Sequence, residues 1–80
     1  MSRVFHFRVY GEARWFRFRR IDVSKCDFEL DFDVSYASLN FESACKRFLE
    51  DLVDYFGDAC IVGFHRCSTS NVYLVSVEVP

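Results

Sequence analysis

Hydrophobic and polar positions alternate along most of this chain. In residues 3–10, RVFHFRVY, Phe5, Phe7 and Val9 fall on one side and His6, Arg8 and Tyr10 on the other, which is the period of a β-strand. Gly11, Glu12 and Ala13 read as a short turn. Residues 14–21, RWFRFRRI, place Phe16 and Phe18 on the apolar side and Trp15, Arg17 and Arg19 opposite. Residues 26–34 alternate without a break. Cys26, Phe28, Leu30, Phe32 and Val34 form one face and Asp27, Glu29, Asp31 and Asp33 the other, so the strand has a buried side and a wet side. Tyr36 to Asn40 is a connector, with Ser38 and Asn40 as candidate helix caps.

The period changes at residue 41. Phe41, Ala44, Cys45, Phe48, Leu49, Leu52, Val53 and Phe56 recur every three to four residues, the single apolar stripe of a helix over 41–56. Gly57 suits the left-handed position that closes it. Glu42–Lys46 and Arg47–Asp51 are i, i+4 pairs, each contributing a few tenths of a kcal/mol at most. Residues 59–67, ACIVGFHRC, form a fourth strand, Ser68 to Asn71 a polar turn, and residues 72–79, VYLVSVEV, a fifth strand. The fifth carries apolar residues on both faces, which predicts an interior place in a sheet.

The order β-β-β-α-β-β predicts an α+β two-layer sandwich: a five-stranded, mostly antiparallel sheet with one amphipathic helix on one face. With the fifth strand interior, the spatial order 3-2-1-5-4 makes every neighbour antiparallel. Pairing Phe18 with Phe28 on the core side would set Arg19 opposite Asp27 and Arg17 opposite Glu29 on the other. Arg3, Arg8, Arg14 and Arg20 stand outside that pairing.

Composition narrows the class. Eighty residues make one domain, 1–80, and 51% apolar content with ten Phe is enough to fold it. No apolar run approaches the roughly 20 residues of a membrane helix, and the N-terminal stretch lacks the apolar core of a secretory signal. A cytoplasmic domain without membrane contact is expected. The net charge of −2 hides a division. Residues 1–20 hold six Arg against Glu12, a balance of +5; residues 21–58 hold ten carboxylates against Lys25, Lys46 and Arg47, a balance of −7.

Two surfaces follow from that division. Arg8, Tyr10, Trp15, Arg17 and Arg19 interleave charge with rings on an open sheet, as single-stranded nucleic-acid binders do. The acidic third strand would cancel much of that field, and the glycine-aromatic pattern of RNA-binding sheets is missing. On the helix, Glu50, Asp51, Asp54 and Asp58 gather at the C-terminal half, where carboxylates oppose the helix dipole. Together with Asp31 and Asp33, beyond the Arg run, they suit docking onto a basic protein surface, including that of a nucleic-acid-binding complex. Solubility alone is the competing explanation.

Chemistry beyond binding finds little support. Cys26, Cys45, Cys60 and Cys67 contain no CxxC pair, so four reduced thiols and no metal are expected. Cys26 and Cys45 fall on apolar faces; in a regular strand Cys60 would point away from His65 and Cys67. GxSxG, HExxH, P-loop and GxGxxG motifs are absent, which leaves no cofactor or catalytic assignment. His65 beside Ser68, Thr69 and Ser70 is what a strand end followed by a polar turn produces by chance. The expectation is a non-enzymatic inhibitor or adaptor that docks acidic surface onto a basic partner. In size and charge it is similar to the small inhibitors that phages and mobile elements encode against host defences, anti-CRISPR proteins among them, though no motif carries the likeness residue by residue. The alternative is a single-stranded nucleic-acid-binding domain using residues 3–20.

Overall fold

The computed structural model of the chain describes residues 2–67 and 71–80. Its elements are β1 (Arg3–Glu12), β2 (Trp15–Asp22), a 3-10 turn (Val23–Lys25), β3 (Phe28–Ala37), α1 (Phe41–Phe56), β4 (Cys60–Arg66) and β5 (Val72–Val79). The strands form one antiparallel sheet in the order β3-β2-β1-β5-β4, as the pattern predicts, and the helix lies on one face. The polar turn expected at 68–71 falls, for Ser68, Thr69 and Ser70, outside the described residues.

The inner face is built from the apolar rows. Phe7 and Val9 of β1, Phe16 and Phe18 of β2, and Val75, Val77 and Val79 of β5 are buried beneath Ala44, Cys45, Phe48 and Leu52 of α1. Phe48 is the centre. Its ring stacks on Phe18 at 4.2 Å and meets Phe7 edge-on at 4.9 Å. Phe41 stacks on Tyr73 at 3.9 Å and anchors the other end of the helix. Asn40 caps α1, its Oδ1 accepting from Ser43 N–H at 2.9 Å, and Gly57 closes it at φ 85°. Val53, placed on the apolar stripe by its spacing, is 39% exposed, because it lies on the flank of the helix.

The turns differ from expectation. Gly11 continues β1 rather than bending it, and the reversal falls on Ala13 and Arg14. A β-carbon on Gly11 would lie 3.1 Å from the Phe16 ring, so glycine here serves a close approach of the opposite strand.

The third strand departs most. It starts at Phe28 and runs on through Tyr36, which is buried against Phe18 and Phe48, so the connector shortens to residues 38–40. Cys26 and Asp27 take left-handed backbone conformations after the 3-10 turn, and both are exposed, as is Phe28. Cys26 is therefore not a core residue. Phe18 pairs with Val34, not Phe28, which sets Arg19 opposite Asp33 and Arg17 opposite Ser35. Between Arg19 and Ile21 the register shifts, and residues 30–32 of β3 bulge across from Arg20.

Strand β4 also bulges, between Ile61 and Gly63. That extra residue reverses the parity, so Cys60 and His65 pair onto the same outer face, opposite Glu78 and Leu74, rather than onto opposite faces. They stand too far apart along the strand to share a ligand. Among the described residues no group of three or more His, Cys, Asp or Glu side chains is placed to hold a metal, and no helix is long and apolar enough to cross a membrane.

Candidate functional site

Alternation along β1, β2 and β3 delivers Arg8, Tyr10, Arg17, Arg19, Glu29 and Asp33 to the outer face of the sheet, away from the helix. There they form one connected network. Arg17 grips Asp33 with two hydrogen bonds of 2.9 Å each. Arg19 reaches Asp33 at 3.4 Å and Glu29 at 3.6 Å and donates to the Leu30 carbonyl at 3.3 Å. Arg8 contacts Glu29 at 3.2 Å and Asp27 at 3.8 Å, and the Tyr10 hydroxyl donates to the same Glu29 carboxylate. Hydrogen bonds from Tyr10 and Arg8 hold the Glu29 carboxyl below the usual range, and Arg17 does the same for Asp33.

This network corrects two expectations. Asp33 is not an available acidic residue beyond the Arg run; the observed register puts it in the middle of that run. Arg8 is not left over either. Three arginines meet three carboxylates, so this network itself carries no net positive charge. Trp15, 56% exposed, is the one large ring of the group that remains open to solvent. His6 is tied up as well, its Nδ1 sharing a hydrogen bond of 2.9 Å with the Ser76 hydroxyl.

The helix carboxylates are placed differently. Glu50 and Asp54, i and i+4 on the solvent side of α1, are exposed and make no hydrogen bond or ion pair among the described residues. Asp58, just past the helix, accepts only from the neighbouring Ala59 N–H at 2.9 Å. The last turn of α1 contains no basic residue. Arg47, the nearest candidate, turns away to donate to the Ala37 carbonyl at 2.7 Å and lies over the Tyr36 ring. Asp51 is partly consumed by the fold, since it accepts from the Tyr36 hydroxyl. Burial and that bond together push the Tyr36 hydroxyl well above its ordinary range. Asp31, at the β3 bulge, is exposed and unpaired among the described residues, and it lies on the sheet rather than with the helix group.

Two participants escape a reading by residue type. Glu29 is the hub of the outer network, which only the pairing reveals. Tyr55 is 82% exposed, an i+4 neighbour of Asp51 beside the acidic ridge. Its signal was present in the sequence as a ring that falls off the apolar stripe.

A scan of protein-family models, a search of curated proteins and a search of solved structures each find no match to this chain.

Proposed function

We propose that the chain is a protein-binding domain of the inhibitor or adaptor kind, without catalytic activity of its own. Its docking surface is the C-terminal half of α1, which carries Glu50, Asp54 and, just beyond it, Asp58 together with the exposed Tyr55, and its partner presents a basic surface. The observation that carries this reading is a contrast within one molecule. The sheet carboxylates Asp27, Glu29 and Asp33 are all met by arginines, whereas Glu50, Asp54 and Asp58 are met by none. Placing unpaired carboxylates at a helix C-terminus costs a few tenths of a kcal/mol per group, so they do not serve the fold. An exposed tyrosine beside a charged rim is the composition of an interface, with the ring as anchor and the charges steering encounter.

The test is a double charge reversal, Glu50→Lys with Asp54→Lys, used as bait beside the unaltered chain for capture of partners under native conditions. The reversal should leave the melting temperature unchanged or slightly higher. It should cost at least tenfold in affinity for the captured partner and flatten the salt dependence of binding. If that variant binds as before while Trp15→Ala or Arg8→Ala abolishes binding, the hairpin is the working surface. A gel shift with single-stranded oligonucleotides then decides whether nucleic acid is its target.

A further inference from the structure

We propose that the groove between α1 and β3 binds an apolar molecule carrying one carboxylate, with Arg20 as the donor to its head group. The groove has a volume of about 400 Å³ and is lined by Phe5, Phe7, Phe32, Phe48, Leu52 and Phe56. Size and lining match those of small-molecule sites, which are mostly apolar with few polar groups. Phe32 and Val34 of β3 remain half-buried, facing the gap.

Arg20 supplies the polarity. It follows Phe16 and Phe18 on the inner row of β2 and pairs with Phe7, so it is the one arginine of the RFRR run that turns toward the helix side. Its guanidinium lies over the Phe5 ring at 4.4 Å from the centroid. Its Nε is buried without a hydrogen-bond partner, and no carboxylate comes within 4.0 Å of it among the described residues. Arg17 and Arg19, its neighbours on the outer face, are both paired. A planar cation held by an aromatic face, with a desolvated donor and no internal acceptor, selects a planar anion able to take two parallel N–H bonds.

The opposite end fixes the orientation. Tyr36 and Asp51 line the groove there and are bonded to each other. By register Tyr36 faces Phe16, four residues from Arg20 along β2, or roughly 13 Å at strand rise. An anionic head at that end meets Asp51, which already has its donor, and is repelled. The head therefore sits at Arg20, and the apolar body runs along the groove over Phe32 and Phe48, whose rings touch each other edge-on.

The test uses decanoate, decanol and decylamine, titrated into the intact chain below their aggregation concentrations and followed by amide shifts in two-dimensional NMR. Decanoate should give saturable shifts confined to Arg20, Phe32, Phe48 and the second half of α1. It should bind at least tenfold more tightly than decanol, and decylamine should bind more weakly than either. Arg20→Gln should bring decanoate down to the affinity of decanol while leaving decanol unchanged, and Arg20→Lys should restore part of the difference. Equal affinities for decanoate and decanol in the unaltered chain overturn the proposal, whether or not the variants fold. So do shifts that map to the outer sheet face, or a groove already occupied by a second copy, seen as concentration-dependent shifts without ligand.

Discussion

Replacing Phe48 with leucine tests the core at its centre. Phe48 is 1% exposed, and its ring meets Phe18 at 4.2 Å, Phe7 at 4.9 Å, Phe32 at 6.3 Å and Tyr36 at 6.4 Å. Leucine keeps most of the apolar area but removes the ring geometry. The two closest pairs are worth about 0.5–1.5 kcal/mol each beyond burial, so the substitution should cost about 1–3 kcal/mol. Alanine should cost about 3–5 kcal/mol. A domain of this size holds about 4–12 kcal/mol in total, so Phe48→Ala approaches the limit of what the chain can lose, while Phe48→Leu stays measurable. At about 4–8 °C per kcal/mol, the leucine variant should melt about 4–24 °C lower. Urea unfolding by far-ultraviolet circular dichroism reads the loss directly; Trp15 is too exposed to serve as a reporter. Val53→Ala, on the exposed flank, is the control and should cost under about 1 kcal/mol. If Phe48→Leu costs less than about 0.5 kcal/mol, or no more than Val53→Ala, the helix is not docked through this ring.

Stability should also depend on pH at both extremes. Glu29 and Asp33 are held below their ordinary values of 4.5 and 3.8, so their contribution is complete above about pH 4.5 and is lost as the pH falls through the lower folded values. Arg17→Ala should make that acid loss shallower in melts at pH 2–6; an unchanged slope would show that the network contributes nothing. Tyr36 is raised above its ordinary 10.0, so its contribution is complete below pH 10 and declines above it, and Tyr36→Phe should remove that alkaline decline in melts at pH 9–11. Burial pushes the Cys45 thiol up to about 11, while Cys26 and Cys60 are exposed. Ellman's reagent at pH 8 should therefore label Cys26 and Cys60 quickly and Cys45 last in the native chain, and all four in urea without reductant. Early labelling of Cys45 would contradict its burial.

The helix and the strand faces were legible because each depends on a local period. The three-to-four spacing from Phe41 to Phe56 specifies one buried stripe wherever the helix docks, and Phe5, Phe7, Phe16 and Phe18 must share a side once their strands form. The apolar character of both faces of residues 72–79 was enough to place β5 inside the sheet. Pairing between strands was a different matter. Alternation over residues 26–34 is unchanged by any slip of an even number of residues, so the pattern separated the two sides of β3 but did not specify which partners they meet or which apolar residues reach the core. The choice fell to Tyr36, whose burial against Phe18 and Phe48 requires β3 to run further than its alternation suggests, and to the bulge at residues 30–32. Six residues of slip carried Asp33 into the arginines and left Cys26 and Phe28 outside. The candidate site divides along the same line. Glu50, Asp54 and Asp58 were readable as exposed carboxylates because helix geometry is local. The engagement of Asp33 by Arg17, of Asp51 by Tyr36, and the isolation of Arg20 beside Phe5 were decided only by the tertiary structure, since each joins residues that no local period relates.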